Sequence, residues 1–302
     1  MQLEPAQKKK LFLAVFGGLA ALIVIIAAVA IALESGGPSD SRETFSGVAV
    51  PEDELLVSDI YNGERLIPKF DLPVNQYDTK KFSGKDGLLR YDDPQARLGV
   101  DVSEYQGNID WNAVKNAGID FAILRLGYRG TTQGLLNVDE TFEQNFTGAS
   151  DAGLSVGVYF FSQAITEAEA RAEADFVAQT LNGRKLAYPV VFDWEPPTPT
   201  EKLPAEDLRA YGMTGEQVTK LGTAFCQQIK EAGYTPCVYF NKHQAYEFFD
   251  LEQWKEYDMW YAEYAELPSL YYDFRIWQYT DEGQVPGIEG GVDVNICFRP
   301  FS

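Results

Sequence analysis

The residues Tyr188-Pro189-Val190-Val191-Phe192-Asp193-Trp194-Glu195-Pro196 form a short apolar run that ends in two acids. A run this short, entered through a proline, is typical of a buried strand. Side chains two residues apart on a strand point to the same side, so Asp193 and Glu195 are expected to face one place, with Cβ atoms roughly 6–7 Å apart. Two carboxyl groups so placed suit acid and base chemistry on a glycosidic bond. The alternative is a solvated strand end, since acids are common in turns.

Strand-like and helix-like segments alternate from residue 98 onward. The predicted strands are Leu98–Val102, Phe121–Leu126, Ser155–Phe161, Tyr188–Asp193, Thr235–Phe240, Met259–Ala262, Arg275–Tyr279 and Val292–Cys297. The predicted helices are Trp111–Ala117, Glu140–Ala152, Glu167–Leu181 and Gly215–Ala232, each followed by a glycine suited to a C-terminal cap. Strands that alternate with helices predict parallel strands joined by right-handed crossovers, and eight of them predict a closed α/β barrel.

The last three strands depart from this plan. Only about a dozen residues separate Ala262 from Arg275, or Tyr279 from Val292, too few for a crossover helix. We therefore expect an irregular TIM-like β/α barrel with few helices in its second half.

The N-terminal region predicts a membrane anchor. Residues 11–33 are apolar and uncharged, long enough to cross a bilayer, and follow three lysines. The positive-inside rule then gives a cytoplasmic tail at residues 1–10 and a single-pass cell-membrane protein with an extracellular catalytic domain. The alternative is a signal peptide cleaved after small residues near Ala30 or Ala32, which would make the protein secreted. The run is longer than a usual signal core, which favours the uncleaved anchor.

Three segments follow the anchor. Residues 34–54 are rich in Ser, Gly, Pro and acids, and predict a flexible spacer. Residues 55–96 mix apolar residues with turn formers, and predict an extended or small strand-rich arm that lies on the main domain. Residues 97–302 are the predicted catalytic domain.

The composition excludes several function classes. The formal net charge of −20 argues against nucleic acid or anionic membrane surfaces as partners. The single histidine, His243, excludes a His-rich zinc site, and we expect neither a metal nor a cofactor. The cysteines Cys226, Cys237 and Cys297 do not form a disulfide framework; buried free thiols are favoured over one bridge.

Polar and aromatic residues gather at the predicted strand ends, where active sites of parallel barrels lie. In chain order these are Asp101, Arg125, Tyr128, Tyr159, Asp193, Glu195, Tyr239, Asn241, Trp260, Tyr261, Glu263, Trp277, Gln278, Tyr279, Asp293 and Asn295. Aromatic faces stack on sugar rings, and carboxylates bind hydroxyls or perform catalysis. Each aromatic alone could be core packing, but the convergence of acids and aromatics at one end predicts a carbohydrate-processing site.

Three ordered motifs resemble those of one known family. They are Leu98-Gly99-Val100-Asp101-Val102-Ser103-Glu104-Tyr105-Gln106-Gly107 with Ile109-Asp110-Trp111, then Asp193-Trp194-Glu195, then Trp277-Gln278-Tyr279 with Gly287-Ile288 and Val292-Asp293-Val294-Asn295. The resemblance is to glycoside hydrolase family 25, the Chalaropsis-type lysozymes or N-acetylmuramidases, over about residues 97–302. It implies an irregular β/α barrel that cleaves the β-1,4 bond between N-acetylmuramic acid and N-acetylglucosamine of peptidoglycan.

The resemblance also implies roles for particular residues. Glu195 matches the general acid, and Asp193 the second carboxylate, acting either as nucleophile or as the group that orients the substrate's N-acetyl group. Asp101 and Asp293 match the aspartates of the first and last strands. The expected substrate-binding residues are Tyr159, Arg125, Tyr239, Trp260, Trp277, Gln278 and Glu263.

Two other functions remain open from the sequence. One is a tethered peptidoglycan-binding module that has kept the cleft without its chemistry. The other is a different N-acetylhexosaminidase, such as a chitinase-like enzyme. With peptidoglycan glycan strands as partner, an anchored enzyme reaches only the wall within its spacer length, which suits controlled remodelling.

Overall fold

The computed structural model describes residues 44–85 and 87–301. The predicted cytoplasmic tail, the predicted anchor at residues 11–33 and residues 34–43 of the predicted spacer lie outside these ranges. No helix within the described ranges is both long and apolar enough to cross a membrane.

Three antiparallel hairpins precede the barrel. They pair β1 (Thr44–Phe45) with β2 (Val48–Ala49), β3 (Glu54–Asp59) with β4 (Gly63–Pro68), and β5 (Phe82–Lys85) with β6 (Leu88–Tyr91). A 3-10 turn at Thr79–Lys81 leads into β5. The first hairpin falls in the predicted spacer, and the other two make up most of the segment 55–96, which we call the arm.

Eight strands close a barrel, as predicted. The remaining strands are β7 (Arg97–Val102), β8 (Phe121–Arg129), β9 (Leu136–Val138), β10 (Ser155–Phe161), β11 (Val190–Asp193), β12 (Pro236–Asn241), β13 (Asp258–Ala262), β14 (Ile276–Gly283) and β15 (Val292–Cys297). The sheet runs β7-β8-β10-β11-β12-β13-β14-β15 and closes by pairing β15 with β7. The short β9, which was not predicted, pairs antiparallel with the end of β8.

The last strand runs against the others. Neighbours from β7 to β14 are parallel, but β15 is antiparallel to both β14 and β7. This corrects the sequence-based placement of Asp293 at the carboxyl end of its strand, because Asp293 is the second residue of β15. It reaches the same end of the barrel as the other acids since β15 starts there.

Five α-helices occur in the described ranges, mostly around the first half of the barrel. They are α1 (Trp111–Asn116), α2 (Phe142–Asp151), α3 (Glu167–Leu181), α4 (Gly215–Glu231) and α5 (Lys242–Glu247), with 3-10 turns at Glu104–Gln106, Ala205–Asp207 and Leu251–Trp254. Side chains cap their starts: the Thr166 hydroxyl accepts from the backbone of Glu169, and Thr214 forms a capping box with Gln217. No α-helix lies between β13 and Phe301, as the short connections predicted.

Alternate side chains of the barrel strands point inward and outward. Inward residues from six strands, with Tyr188 two residues before β11, form an apolar plug: Phe121, Ile123, Tyr188, Val191, Cys237, Trp260, Ile276 and Cys297. The Phe121 ring lies where a Cβ of Gly99 would be, at 2.3 Å, so only glycine fits at that point of β7. Since the plug fills the lower barrel, the next inward positions stand at its open mouth.

The arm covers the side of the barrel that lacks helices. Its Ile67 and Leu88 are buried in the outer core. Tyr77 stacks on Phe298 with ring centres 3.7 Å apart, and its hydroxyl donates to the Phe274 carbonyl at 2.5 Å. Hairpins therefore supply apolar cover over β14 and β15 where crossover helices are missing.

Candidate active site

A cavity of about 430 Å³ opens at the barrel mouth. Its lining residues are Asp101, Tyr159, Asp193, Glu195, Tyr239, Trp260, Tyr264, Gln278 and Asp293. A second cavity of about 560 Å³ shares the four acids and Tyr159, and continues past Ser103, Tyr105, Gln106, Arg125 and Phe161. The two cavities form one cleft with the four acids at its middle.

The local geometry of β11 separates the two acids from the tryptophan between them. Asp193 is buried and faces the cleft, and Glu195 continues on the same side at the exposed rim. Trp194 points the other way and stacks on Phe248, with ring centres 5.5 Å apart and planes at 10°. Strand alternation thus brings both carboxyls to the cleft and buries the indole behind them, as the sequence predicted for the acids.

The backbone carbonyls of Asp193, Trp194 and Glu195 each accept a hydrogen bond. The Ser162 amide donates to the Asp193 carbonyl at 2.7 Å. The Trp194 carbonyl accepts from the Gln244 side-chain amide at 3.0 Å, and the Glu195 carbonyl accepts from that of Gln163 at 3.1 Å. Both glutamines are buried. Their amides therefore fix the strand end that presents the two acids.

Asp101 and Asp293 lie side by side across the cleft. They are opposite partners in the antiparallel pair of β7 and β15. The Asp101 Oδ2 atom accepts from Asn295 Nδ2 at 2.7 Å and from Gln278 Nε2 at 2.9 Å. Asp101 is thus fixed by two amides, whereas Asp293 is placed by its strand register.

Crowding and burial shift the pKa values of all four acids upward. Burial raises the pKa of Asp101 to about 6, against the effect of its two amide donors. Burial and the charges of Asp101 and Asp281 raise the pKa of Asp293 to about 8. Burial, with the charges of Glu195 and Asp101, raises the pKa of Asp193 well above its usual range. Glu195 has exposed surface at the rim, but the protein around its carboxyl removes enough water to raise its pKa as well. The cleft therefore holds protons on carboxyls near neutral pH.

An aromatic and amide wall faces these acids. Trp260 lies edge-on to Tyr239 and Tyr159, at 4.9 and 6.3 Å between ring centres, and its Nε1 donates to Asn295 at 2.8 Å. The hydroxyl of Tyr239 donates to Gln278 Oε1 at 3.0 Å. The predicted residues Tyr159, Tyr239, Trp260 and Gln278 are thus brought together with the acids.

Arg125 lines the second of the two cavities, and its guanidinium is paired with two acids. Its guanidinium bonds Asp139 Oδ2 and Glu104 Oε1, each at 2.7 Å. Its positive charge also opposes the rise in the pKa of Asp193. Arg125 therefore stands where expected and acts as a counter-charge beside the acid layer.

Two predicted substrate-binding residues, Trp277 and Glu263, lie outside the cleft lining. Trp277 is 0% exposed and packs on the outer side of β14 against Phe82. Strand alternation is the reason, because its neighbour Gln278 takes the inward position. Glu263 is engaged by Ser269, which donates to it from both backbone and hydroxyl, and by Lys242 at 3.3 Å.

The sequence-based list omitted several residues that shape the cleft. Tyr264 is 54% exposed and donates to Gln278 Oε1 at 3.2 Å, and Tyr105 is 80% exposed at the opposite end. Tyr105 lies inside the first motif, which could have indicated it. Tyr264 follows a strand in a loop whose course the sequence does not give. Within the described ranges, no group of three or more His, Cys, Asp or Glu side chains is arranged to hold a metal ion. The three cysteines are buried and free.

The model of glycosyl hydrolases family 25 matches residues 100–288 of this sequence. The chain belongs to this family. The match confirms the resemblance drawn from the three motifs, and the eight-stranded barrel with few helices in its second half is consistent with it.

Relatives in family 25 include named lysozymes. The autolytic lysozyme of Clostridium acetobutylicum is 27% identical over 198 residues, which cover 65% of this chain and 54% of that protein. Lysozyme M1 of Streptomyces globisporus is 28% identical over 214 residues, covering 65% and 66%. The chain thus spans about half the length of the clostridial relative.

Solved structures share the fold. A family 25 glycosyl hydrolase from Bacillus anthracis has a TM-score of 0.56 and 25% identity, covering 69% of this chain and 92% of that one. The modular autolysin LytC from Streptococcus pneumoniae has a TM-score of 0.58 and 20% identity, covering 84% and 59%, in a complex with a synthetic peptidoglycan ligand. At that identity the second comparison concerns the fold alone.

Proposed function

We propose that this protein is a membrane-anchored extracytoplasmic lysozyme that hydrolyses the β-1,4 bond between N-acetylmuramic acid and N-acetylglucosamine of peptidoglycan. The observation that carries the proposal is the pair Asp193 and Glu195, at the end of β11 and just beyond it, at the middle of a cleft in a family 25 chain. Lysozyme relatives support the same substrate.

Glu195 is the general acid in this proposal. Its raised pKa keeps a proton available, and its place at the rim lets it reach the oxygen of a bound glycosidic bond. As the bond from the anomeric carbon to that oxygen breaks, Glu195 transfers its proton to the leaving sugar. The resulting carboxylate then takes a proton from the water that completes hydrolysis.

Asp193 orients the substrate's own N-acetyl group. The buried Oδ1 atom of Asp193 has no hydrogen-bond partner among the described residues, although it faces the cleft. An acetamido N–H donated to this atom would satisfy it and direct the acetamido oxygen at the anomeric carbon. That oxygen forms a ring intermediate as the glycosidic bond breaks, and water reopens it with net retention. Direct attack by Asp193 is the alternative and would leave a covalent glycosyl-enzyme.

Substrate binding would also determine which of the two acids, Asp193 or Glu195, carries a proton. A hydrogen bond donated to a carboxylate favours its ionised form, so an N–H on Asp193 lowers the pKa of that residue. The shared proton then stays on Glu195, where the leaving oxygen needs it. Asp101 and Asp293 hold substrate, and their charges help to raise the pKa of Asp193.

The anchor at residues 11–33 would hold the enzyme at the cell membrane with its cleft outside. Fractionation of cells that express the full chain tests this part. The protein should stay with membranes at high salt, and deletion of residues 11–33 should abolish membrane retention. Protein that is free in the medium and shortened by about the first 30 residues would instead support cleavage and secretion.

The chemical proposal is tested by digestion of purified peptidoglycan and identification of the new reducing ends. A muramidase leaves muramic acid at each new reducing end. Glucosamine ends would instead support a different N-acetylhexosaminidase. Binding to peptidoglycan without new reducing ends would support a non-catalytic module.

A further inference from the structure

A groove lies between the arm and the barrel, next to the cleft. Its walls include Phe82, Gly84 and Leu89 of the arm, and Tyr264, Leu267 and Glu282 of the barrel loops; we call it the arm groove. The arm residues stand before residue 100, where the family match begins, so this wall lies outside the matched part of the chain.

The arm groove adjoins the cleft. Tyr264 lines both, with its hydroxyl on Gln278. Asp281 lines the groove, and its charge acts on Asp293 in the cleft, in addition to burial and the charge of Asp101. The groove shares no residue with the cavity around Tyr105 and Arg125, so it extends the cleft from the opposite end.

Contacts from the arm fix the loop that carries Tyr264. The Tyr61 hydroxyl donates to the Leu267 carbonyl at 3.0 Å and accepts from the Leu267 amide at 2.9 Å. Asp59 of β3 pairs with Lys242, which also pairs with Glu263 just before Tyr264. The arm therefore supplies one wall of the groove and positions the other.

We infer that the arm groove binds the peptidoglycan glycan strand where it continues beyond the cleft. This inference rests on the proposed function. Three rim acids, Glu266, Asp281 and Glu282, can accept hydrogen bonds from sugar hydroxyls, and the apolar walls suit the C–H faces of sugar rings. A peptide stem with free carboxylates would meet repulsion from these acids, whereas the hydroxyl and acetamido groups of the glycan, and its lactyl groups when amidated as in the wall, carry no charge.

The test fills the groove and varies the length of a peptide-free glycan whose muramic acid carboxyls are amidated, so that the strand carries no charge. A Cβ built on Gly84 meets no atom within 4 Å, so Gly84→Trp places an indole in open space at the groove wall. Gln284→Trp fills it from the barrel loop. The control Ser58→Trp puts the same side chain at an exposed position of the other arm hairpin. The full chain is assayed for kcat/KM on the shortest glycan that the wild type cleaves and on strands several times longer.

Wild type should favour the long strands, and Gly84→Trp and Gln284→Trp should lower kcat/KM on them about tenfold, a difference of about 1.4 kcal/mol. The short glycan and the Ser58→Trp control should change less than about twofold. Equal losses at both lengths, no loss at all, or a loss confined to peptide-bearing strands would each overturn the inference. A wild type that cleaves no glycan would instead overturn the proposed function.

Discussion

The inward and outward faces of the barrel strands have different functions, and neighbouring residues on one strand show the difference. On β11 and the residues that follow it, Glu195 lies at the cleft and Trp194 stacks on Phe248 behind it. On β14, Gln278 holds Asp101 while Trp277 packs against the arm. The inward face at the mouth concentrates buried acids whose ionisation is unfavourable, and the outward face concentrates aromatic packing. Neighbouring residues on one strand therefore differ in function: one side chain serves the cleft, and the next stabilises the fold.

Asp193→Asn should cause a large change, and only in activity. An amide cannot orient the acetamido group as a carboxylate does, so kcat on peptidoglycan should fall on the order of 10²–10³-fold. Because burial and nearby acids disfavour the charged form, the free energy of unfolding at pH 7 should stay equal or rise. Turnover and denaturant unfolding of the same preparation check both parts. Wild-type turnover would contradict the role of Asp193.

Trp277→Ala should cause the largest loss of stability. Truncation of this fully buried indole should lower the free energy of unfolding by about 3–5 kcal/mol. The folded fraction should keep kcat within a few-fold of wild type, since the indole does not line the cleft. Denaturant titration and a turnover assay corrected for folded protein measure the two effects. A loss of kcat without a loss of stability would contradict the claim that this outward-facing residue serves packing alone.

Gln163→Ala tests whether activity depends on the hydrogen bond that holds the Glu195 backbone in place. Loss of its amide frees the Glu195 carbonyl, so kcat should fall roughly tenfold with KM little changed. The control Gln228→Ala removes an amide that bonds Asp175 on the surface, and should leave both constants unchanged. The pH profile of kcat should also move in Gln163→Ala but not in the control. A change in KM alone would count against a positioning role.

The raised pKa values of the cleft acids lead us to expect a smaller effect, in which the stability of the fold depends on pH. A carboxyl whose pKa is higher in the folded state stabilises the fold fully below its unfolded pKa, near pH 4, and loses this contribution as pH rises through the folded value. For Asp101 and Asp293 the folded values are about 6 and about 8. The melting temperature should therefore fall between pH 4 and pH 8, and Asp293→Asn should flatten that slope. An unchanged slope in the variant would contradict the crowding of these acids.

Much of the helix-covered half of the barrel could be predicted from sequence. The helix Glu167–Leu181 has its predicted bounds, because Thr166 caps its start and Asn182 with Gly183 ends it at positive φ. The pair Asp193 and Glu195 was placed by strand alternation, a local rule. The same rule, applied to β14, would have removed Trp277 from the predicted site.

The other half depended on contacts between distant segments. The direction of β15 is set by its pairing with β7, about two hundred residues earlier in the chain, and local patterns do not encode that choice. The arm's hairpins dock through side chains such as Tyr77 and Phe82, whose partners lie near the C-terminus. Tyr264 was missed for the same reason, since its loop is placed by the arm.

The most direct test of the account compares turnover and unfolding of Glu195→Gln. The substitution keeps the shape of the side chain and removes the proton that cleavage needs. We predict a loss of peptidoglycan hydrolysis of about 10²–10⁴-fold with an unfolding midpoint no lower than that of wild type. Hydrolysis within a few-fold of wild type in a folded Glu195→Gln protein would contradict it.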